Sequence, residues 1–123
     1  MTTVLVVDDS ATVRMQATKV LSGAGFAVIH AVDGVDALEQ LAQRSDVSLI
    51  LCDVNMPRMN GIELVEAIAE KGGTKIPVIM LTTEVRADFV QRAKAVGAKT
   101  WMTKPFNREV LVAAATRLTT SSA

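Results

Sequence analysis

The chain has a single cysteine, Cys52, in 123 residues, so no disulfide can form within it and a reducing compartment suits it. It has no excess charge of either sign. Thirteen basic and thirteen acidic residues cancel, which removes any global field drawing the chain to nucleic acid or an anionic membrane. No apolar run approaches the roughly 20 residues of a membrane-spanning helix. The N-terminal stretch "MTTVLVVDDS" lacks a basic region and turns acidic at once, so it does not read as a secretion signal. There is no linker and no low-complexity tract. A chain of 123 residues can bury roughly two-thirds of its extended-chain surface and needs neither metal nor disulfide to fold. The expectation is one soluble, cytoplasmic domain over residues 1–123, with no membrane insertion and no nucleic-acid partner.

What is present is a repeating pattern. The short apolar runs Val4–Val7, Ala27–Ile29, Leu49–Cys52 and Val78–Leu81 are continuous rather than alternating, as in strands of a parallel sheet buried on both faces. Segments with helical spacing lie between them. Val13, Ala17, Val20 and Leu21 share one face; Ala37, Leu38 and Leu41 make a shorter stripe; Ile62, Val65, Ile68 and Ala69 form the next. Phe89, Val90, Ala93 and Val96 mark a fourth predicted helix, and Val110, Leu111, Ala114 and Leu118 a fifth. Glycines, Gly23 and Gly25 among them, punctuate the helix ends, and Pro77 stands at the mouth of a strand. With Thr100–Thr103 as the last strand, the pattern is β-α repeated five times, an α/β fold with one doubly wound five-stranded parallel sheet.

In such sheets the functional site lies beyond the carboxyl ends of the strands. There the first strand ends in Asp8-Asp9, the third in Asp53, the fourth in Thr82-Thr83 and the fifth in Lys104-Pro105. Each residue taken alone is an ordinary turn or helix cap. Together they gather three carboxylates, hydroxyls and an ammonium along one sheet edge. Two carboxylates about 5 Å apart repel by roughly 3 kcal/mol at an effective dielectric near 20. Three of them invite either a raised pKa or a cation. Hard oxygen ligands without His or Cys suit Mg2+. A divalent cation, a lysine and a threonine hydroxyl around a carboxylate make sense for a phosphoryl group, and Asp53 could then be the nucleophile.

The elements "LVVDDS" (Leu5–Ser10), "CDVNMPRMNG" (Cys52–Gly61), "IMLTTE" (Ile79–Glu84) and "TKPF" (Thr103–Phe106), in this order and spacing, resemble the response-regulator receiver domain of the CheY type. The resemblance runs over nearly the whole chain and implies the flavodoxin-like, CheY-like (βα)5 fold, with no output domain in residues 1–123. It implies that Asp53 is the phosphoacceptor of a two-component system, served by a histidine kinase or a histidine phosphotransfer domain. Asp8, Asp9 and Asp53, with the backbone carbonyl of Asn55, would hold Mg2+. Lys104 would pair with a phosphoryl oxygen, Thr82 would hydrogen-bond the phosphoryl group, and Trp101 would occupy the aromatic switch position that follows Thr82. Tyr or Phe is commoner at that position, and the bulkier indole would leave an inward swing incomplete or need a roomier pocket. Asn55, Thr83 and Glu84 would control access to the phosphate. An amide at Asn55 and a carboxylate at Glu84 resemble the fast-hydrolysing chemotaxis receivers, while Thr83 could narrow access.

The output implied is a change of affinity for a downstream partner, such as a flagellar motor switch, at the face made by the predicted fourth helix, fifth strand and fifth helix. Arg86, Arg92, Lys94, Lys99 and Arg108 give this face a basic tinge. Chemotaxis signalling competes with two other roles, a phosphate sink and a phosphorelay intermediate. An aspartyl-phosphate phosphatase is a remote alternative, because Asp8-Asp9-Ser10-Ala11-Thr12 lacks the spaced second Asp of such enzymes. A flavin-phosphate binder is another, and the two anions after the first strand would repel its ligand. Cys52 reads as core filler, and His30 as a surface or satisfied histidine.

Overall fold

The computed structural model describes residues 2–44, 46–53, 61–70, 76–82, 100–103 and 106–120. Five strands form one parallel sheet: β1 (Thr3–Val7), β2 (Ala27–Ala31), β3 (Val47–Asp53), β4 (Val78–Thr82) and β5 (Thr100–Thr103), in the order β2-β1-β3-β4-β5. Four helices are described: α1 (Ala11–Gly23), α2 (Gly34–Gln43), α3 (Gly61–Glu70) and α4 (Arg108–Thr120). The last of these is the fifth helix of the sequence expectation. The predicted fourth helix, with its Phe89–Val96 stripe, lies outside the described residues.

The continuous apolar runs are strands because both faces of the sheet are covered. Val4, Val6, Leu49, Leu51, Ile79 and Leu81 point to one side, where Ala17 and Leu21 of α1 and Leu111 and Ala115 of α4 close over them. Leu5, Val7, Ile50, Cys52, Val78 and Met80 point to the other, against Ala37 of α2 and Leu64 and Ile68 of α3. This period-two division is the pleat of a strand expressed in packing. β1 lies between β2 and β3, and all five of its residues are buried.

Four strands run further than the apolar runs predict, β1 among them because it begins at Thr3. β2 continues through exposed His30 to Ala31, β3 begins at Val47 and carries exposed Ser48, and β4 reaches Thr82. Val110, expected on the core stripe of the last helix, is instead 53% exposed, while Ala115 is fully buried. The buried face of α4 is thus centred on Leu111, Ala115 and half-buried Leu118, one step round from the expected stripe.

Local chemistry sets the helix ends. Ser10 Oγ accepts from the Val13 N–H at 3.3 Å and caps α1; Asp33 Oδ1 accepts from the Asp36 N–H at 2.8 Å and caps α2. Asn107 Oδ1 accepts from the Glu109 and Val110 N–H groups at the start of α4. At the far end of α1, the Phe26 N–H donates to the Leu21 carbonyl and the Gly25 N–H to the Ser22 carbonyl, each at 3.1 Å. These paired bonds need a left-handed residue, which Gly25 supplies with φ of 96°. On β2, the Gln40 amide donates to the His30 carbonyl at 2.5 Å, tying α2 to the strand.

Candidate metal and phosphoryl site

Two parallel strands bring the carboxylates together. β1 and β3 pair with Val6 opposite Leu51 and Val7 opposite Cys52, so one step further along that register Asp8 stands beside Asp53. Continuing the alternation from Val4 and Val6, and from Leu49 and Leu51, sets both side chains on the α1 face of the sheet. Asp9, at the bend into α1, completes the group. One carboxylate oxygen from each of Asp8, Asp9 and Asp53 lies within 4.8 Å of the others. Asp8 is fully buried, Asp53 is 5% exposed and Asp9 is exposed. The cluster therefore has a dry floor and a wet mouth.

Asp8 is fixed at three points. Its N–H donates to the Ala31 carbonyl at 3.1 Å, its Oδ1 accepts from the Ser10 N–H at 2.8 Å, and its carbonyl accepts from Arg14 at 2.6 Å. The N-terminus of α1 faces the same turn, and the partial positive charge of its unpaired amides favours anions there. Even so, three carboxylates at this spacing demand a counter-charge.

The donor set fits a small hard cation: all ligands are carboxylate oxygens, and no His or Cys belongs to the group. An octahedral Mg2+ with bonds near 2.1 Å sets its ligands about 3 to 4 Å apart and keeps several waters. Oxygens within 4.8 Å of one another suit direct contact for some of them and contact through water for the rest.

The neighbouring strands are aligned on the same point. Asp53 pairs with Leu81, so Thr82 stands one residue beyond it, and Thr82 in turn pairs with Thr103, immediately before Lys104. Asn55, Thr83, Glu84 and Lys104 lie outside the described residues. Trp101, paired with Met80, is half-buried against the core cluster that contains Cys52 and Met80. Its Nε1 is enclosed and has no hydrogen-bond partner among the described residues. Cys52 is buried, and its thiol donates to the Asp53 carbonyl at 3.3 Å, so it fills core next to the site. His30 is exposed and contacts the Thr18 hydroxyl at 2.5 Å, and it is not a member of the carboxylate group. Sequence reasoning passed over Arg14. Its only trace in the sequence is a charge three residues before Ala17 and seven before Leu21, on the flank of the buried face of α1.

Known proteins share sequence and fold with most of the chain. The family model described as "Response regulator receiver domain" matches residues 4–116. A chemotaxis protein CheY homolog of Campylobacter jejuni is 42% identical over 110 residues, covering 87% of this chain and 84% of that protein. Protein PilG of Pseudomonas aeruginosa is 37% identical over 112 residues, covering 90% of this chain and 82% of its own. Among solved structures, chemotaxis protein CheY4 of Vibrio cholerae superposes with a TM-score of 0.88 at 43% identity, over 96% of this chain and 98% of that one.

Proposed function

The chain belongs to the response regulator receiver family, and on that premise we propose that it is a binding module switched by phosphorylation of Asp53. The observation that carries this reading is the meeting of Asp8, Asp9 and Asp53 within 4.8 Å at the carboxyl edge of the sheet. A carboxylate oxygen of Asp53 attacks the phosphorus of a histidine-kinase phosphohistidine. The new O–P bond forms as the P–N bond breaks, and the electron pair leaves on the imidazole nitrogen. The product is an acyl phosphate that water later hydrolyses.

Asp8 and Asp9, together with Asp53 and the Asn55 carbonyl, would hold Mg2+, which when bound neutralises phosphoryl oxygens as charge develops on them. Asp8 contributes a ligand whose position is set before any ion arrives, because its backbone and Oδ1 are all engaged. Lys104 and Thr82 engage the phosphoryl oxygens from the ends of β5 and β4, drawing two loops to one point, and Trp101 on β5 follows. Asn55, Thr83 and Glu84 set the access of water to the acyl phosphate.

The output is a change in partner affinity at the face formed by the predicted fourth helix, β5 and α4. The protein turns over no substrate other than its own phosphoryl group. The names of the relatives support chemotaxis or motility signalling; on this reading residues 1–123 act as one receiver unit in the cytoplasm, with a motor-switch component as the class of target. Among the described residues no helix is long and apolar enough to cross a membrane.

The test is to load the protein with a small phosphodonor and Mg2+ and to time the loss of phosphate, with Asp53→Asn as the control. Labelling confined to the wild type, with decay in seconds to a minute or so, is the expected result. Equal labelling of Asp53→Asn would refute the assignment, and persistence for hours would favour a phosphorelay intermediate.

A further inference from the structure

Arg14 stands in the first turn of α1, where its N–H bonds to the Ser10 carbonyl at 3.0 Å. A cation is out of place there. The unpaired amides of a helix N-terminus carry partial positive charge, so Lys and Arg belong at the other end. The side chain is half-buried and leans back towards the start of the helix, as helical side chains do. Nη1 donates to the Asp8 backbone carbonyl at 2.6 Å, a short, charge-assisted hydrogen bond. Among the described residues the guanidinium makes no ion pair, and the ion pair that is present, Arg44 with Asp46, lies elsewhere. Arg14 therefore grips the backbone of the acidic turn without occupying a carboxylate. Its own carbonyl accepts from the Thr18 hydroxyl at 2.7 Å, one turn further along the helix.

From this geometry we infer that Arg14 is a positioning residue for divalent-cation binding: it clamps the Asp8 carbonyl and so holds the Asp8-Asp9 turn in the shape that presents its carboxylates to the ion. The inference rests on the reading of Asp8, Asp9 and Asp53 as a cation site. Two physical effects of the same side chain have opposite signs, which makes the role measurable. As a nearby positive charge, Arg14 repels a second cation, so its removal should tighten binding. As a clamp, it preorganises the ligands, so its removal should weaken binding, and loss of an orienting partner typically costs about 10- to 100-fold in metal affinity.

The experiment is calorimetric titration of Mg2+ alone into unphosphorylated wild type, Arg14→Gln and Arg14→Lys, with thermal melts in metal-free buffer to establish that each is folded. Arg14→Gln should bind Mg2+ about 10-fold more weakly. Arg14→Lys, which keeps the charge and one donor but loses the planar fork, should fall between the two. A general loss of stability would lower the melting temperature and leave the affinity of the folded protein unchanged. Equal or tighter binding by Arg14→Gln overturns the inference while leaving the site intact. If that variant does not fold, Arg14→Lys with wild-type affinity overturns it. Absence of Mg2+ binding by the wild type overturns the cation site itself, and the role of Arg14 with it.

Discussion

Replacing Asp9 by Asn tests whether the three carboxylates act as one electrostatic unit. The change is isosteric and falls on the exposed member of the cluster, so little packing is disturbed. At a separation of 4.8 Å, a pair of unit charges repels by about 3.5 kcal/mol at an effective dielectric of 20 and about 0.9 kcal/mol in bulk water. Asp9 faces two such partners, but it sits at the solvated mouth and its charge is spread over two oxygens. The aqueous limit is therefore the better guide, and relief of about 1 to 2 kcal/mol follows. For a domain of this size that raises the melting temperature by about 3 to 8 °C in metal-free buffer. The wild type should recover the difference when Mg2+ is added: a concentration ten times the dissociation constant contributes about 1.4 kcal/mol. Asp9→Asn, with one ligand fewer, should respond much less. The assay is thermal unfolding of both proteins in chelator and across a Mg2+ series. If Asp9→Asn melts no higher than wild type in chelator and gains as much from Mg2+, the carboxylates neither strain the fold nor share an ion, and the reasoning fails.

Leu21→Ala should cost about 3 kcal/mol, since Leu21 is fully buried between α1 and the sheet; denaturant unfolding measures it, and a loss below about 1 kcal/mol would mean that the site collapses. Gly25→Ala should cost about 1 kcal/mol although a Cβ there meets nothing within 4 Å, because the whole penalty is the φ of 96°; a neutral result in the same assay would contradict it. Arg44 donates to both carboxylate oxygens of Asp46, at 2.9 and 2.7 Å, and this side-chain hydrogen bonding holds Asp46 below the ordinary carboxylate range. Any stability it confers is present above the unfolded-state pKa and is lost as pH falls through the lowered folded value. The difference between wild type and Asp46→Asn should therefore vanish in acid. It should also shrink in about 1 M salt, since both groups are exposed.

The sheet was legible because a strand covered on both faces needs an unbroken apolar run, and such runs exist only where the core is. Strand ends were less so. His30 in β2 and Ser48 in β3 are exposed strand residues; His30 lies on the outermost strand and Ser48 is the residue that the β1–β3 register skips, and hydropathy alone separates neither from a loop residue. Val110 illustrates the limit at helices: its apolar side chain is compatible with the core stripe, yet the rotation of α4 that buries Leu111 and Ala115 turns it outwards. At the candidate site, the convergence of Asp8, Asp9 and Asp53 followed from topology, since each sits at the end of a strand whose neighbour could be inferred. Arg14 did not, because its partner is a main-chain carbonyl, and backbone groups have no signature in a list of side chains.

The hydrogen bond from Gln40 to the His30 carbonyl has a consequence for solubility. β2 is the outermost strand on its side of the sheet. Because Ala27 and Ala31 turn their backbone groups towards β1, alternation directs the His30 carbonyl to the open margin. That carbonyl would be among the first acceptors for an incoming strand from another molecule, and the Gln40 amide already occupies it at 2.5 Å. One glutamine on α2 thus helps to deny the sheet a template on which copies could add edge to edge, a hazard that exposed strands otherwise carry into any concentrated solution.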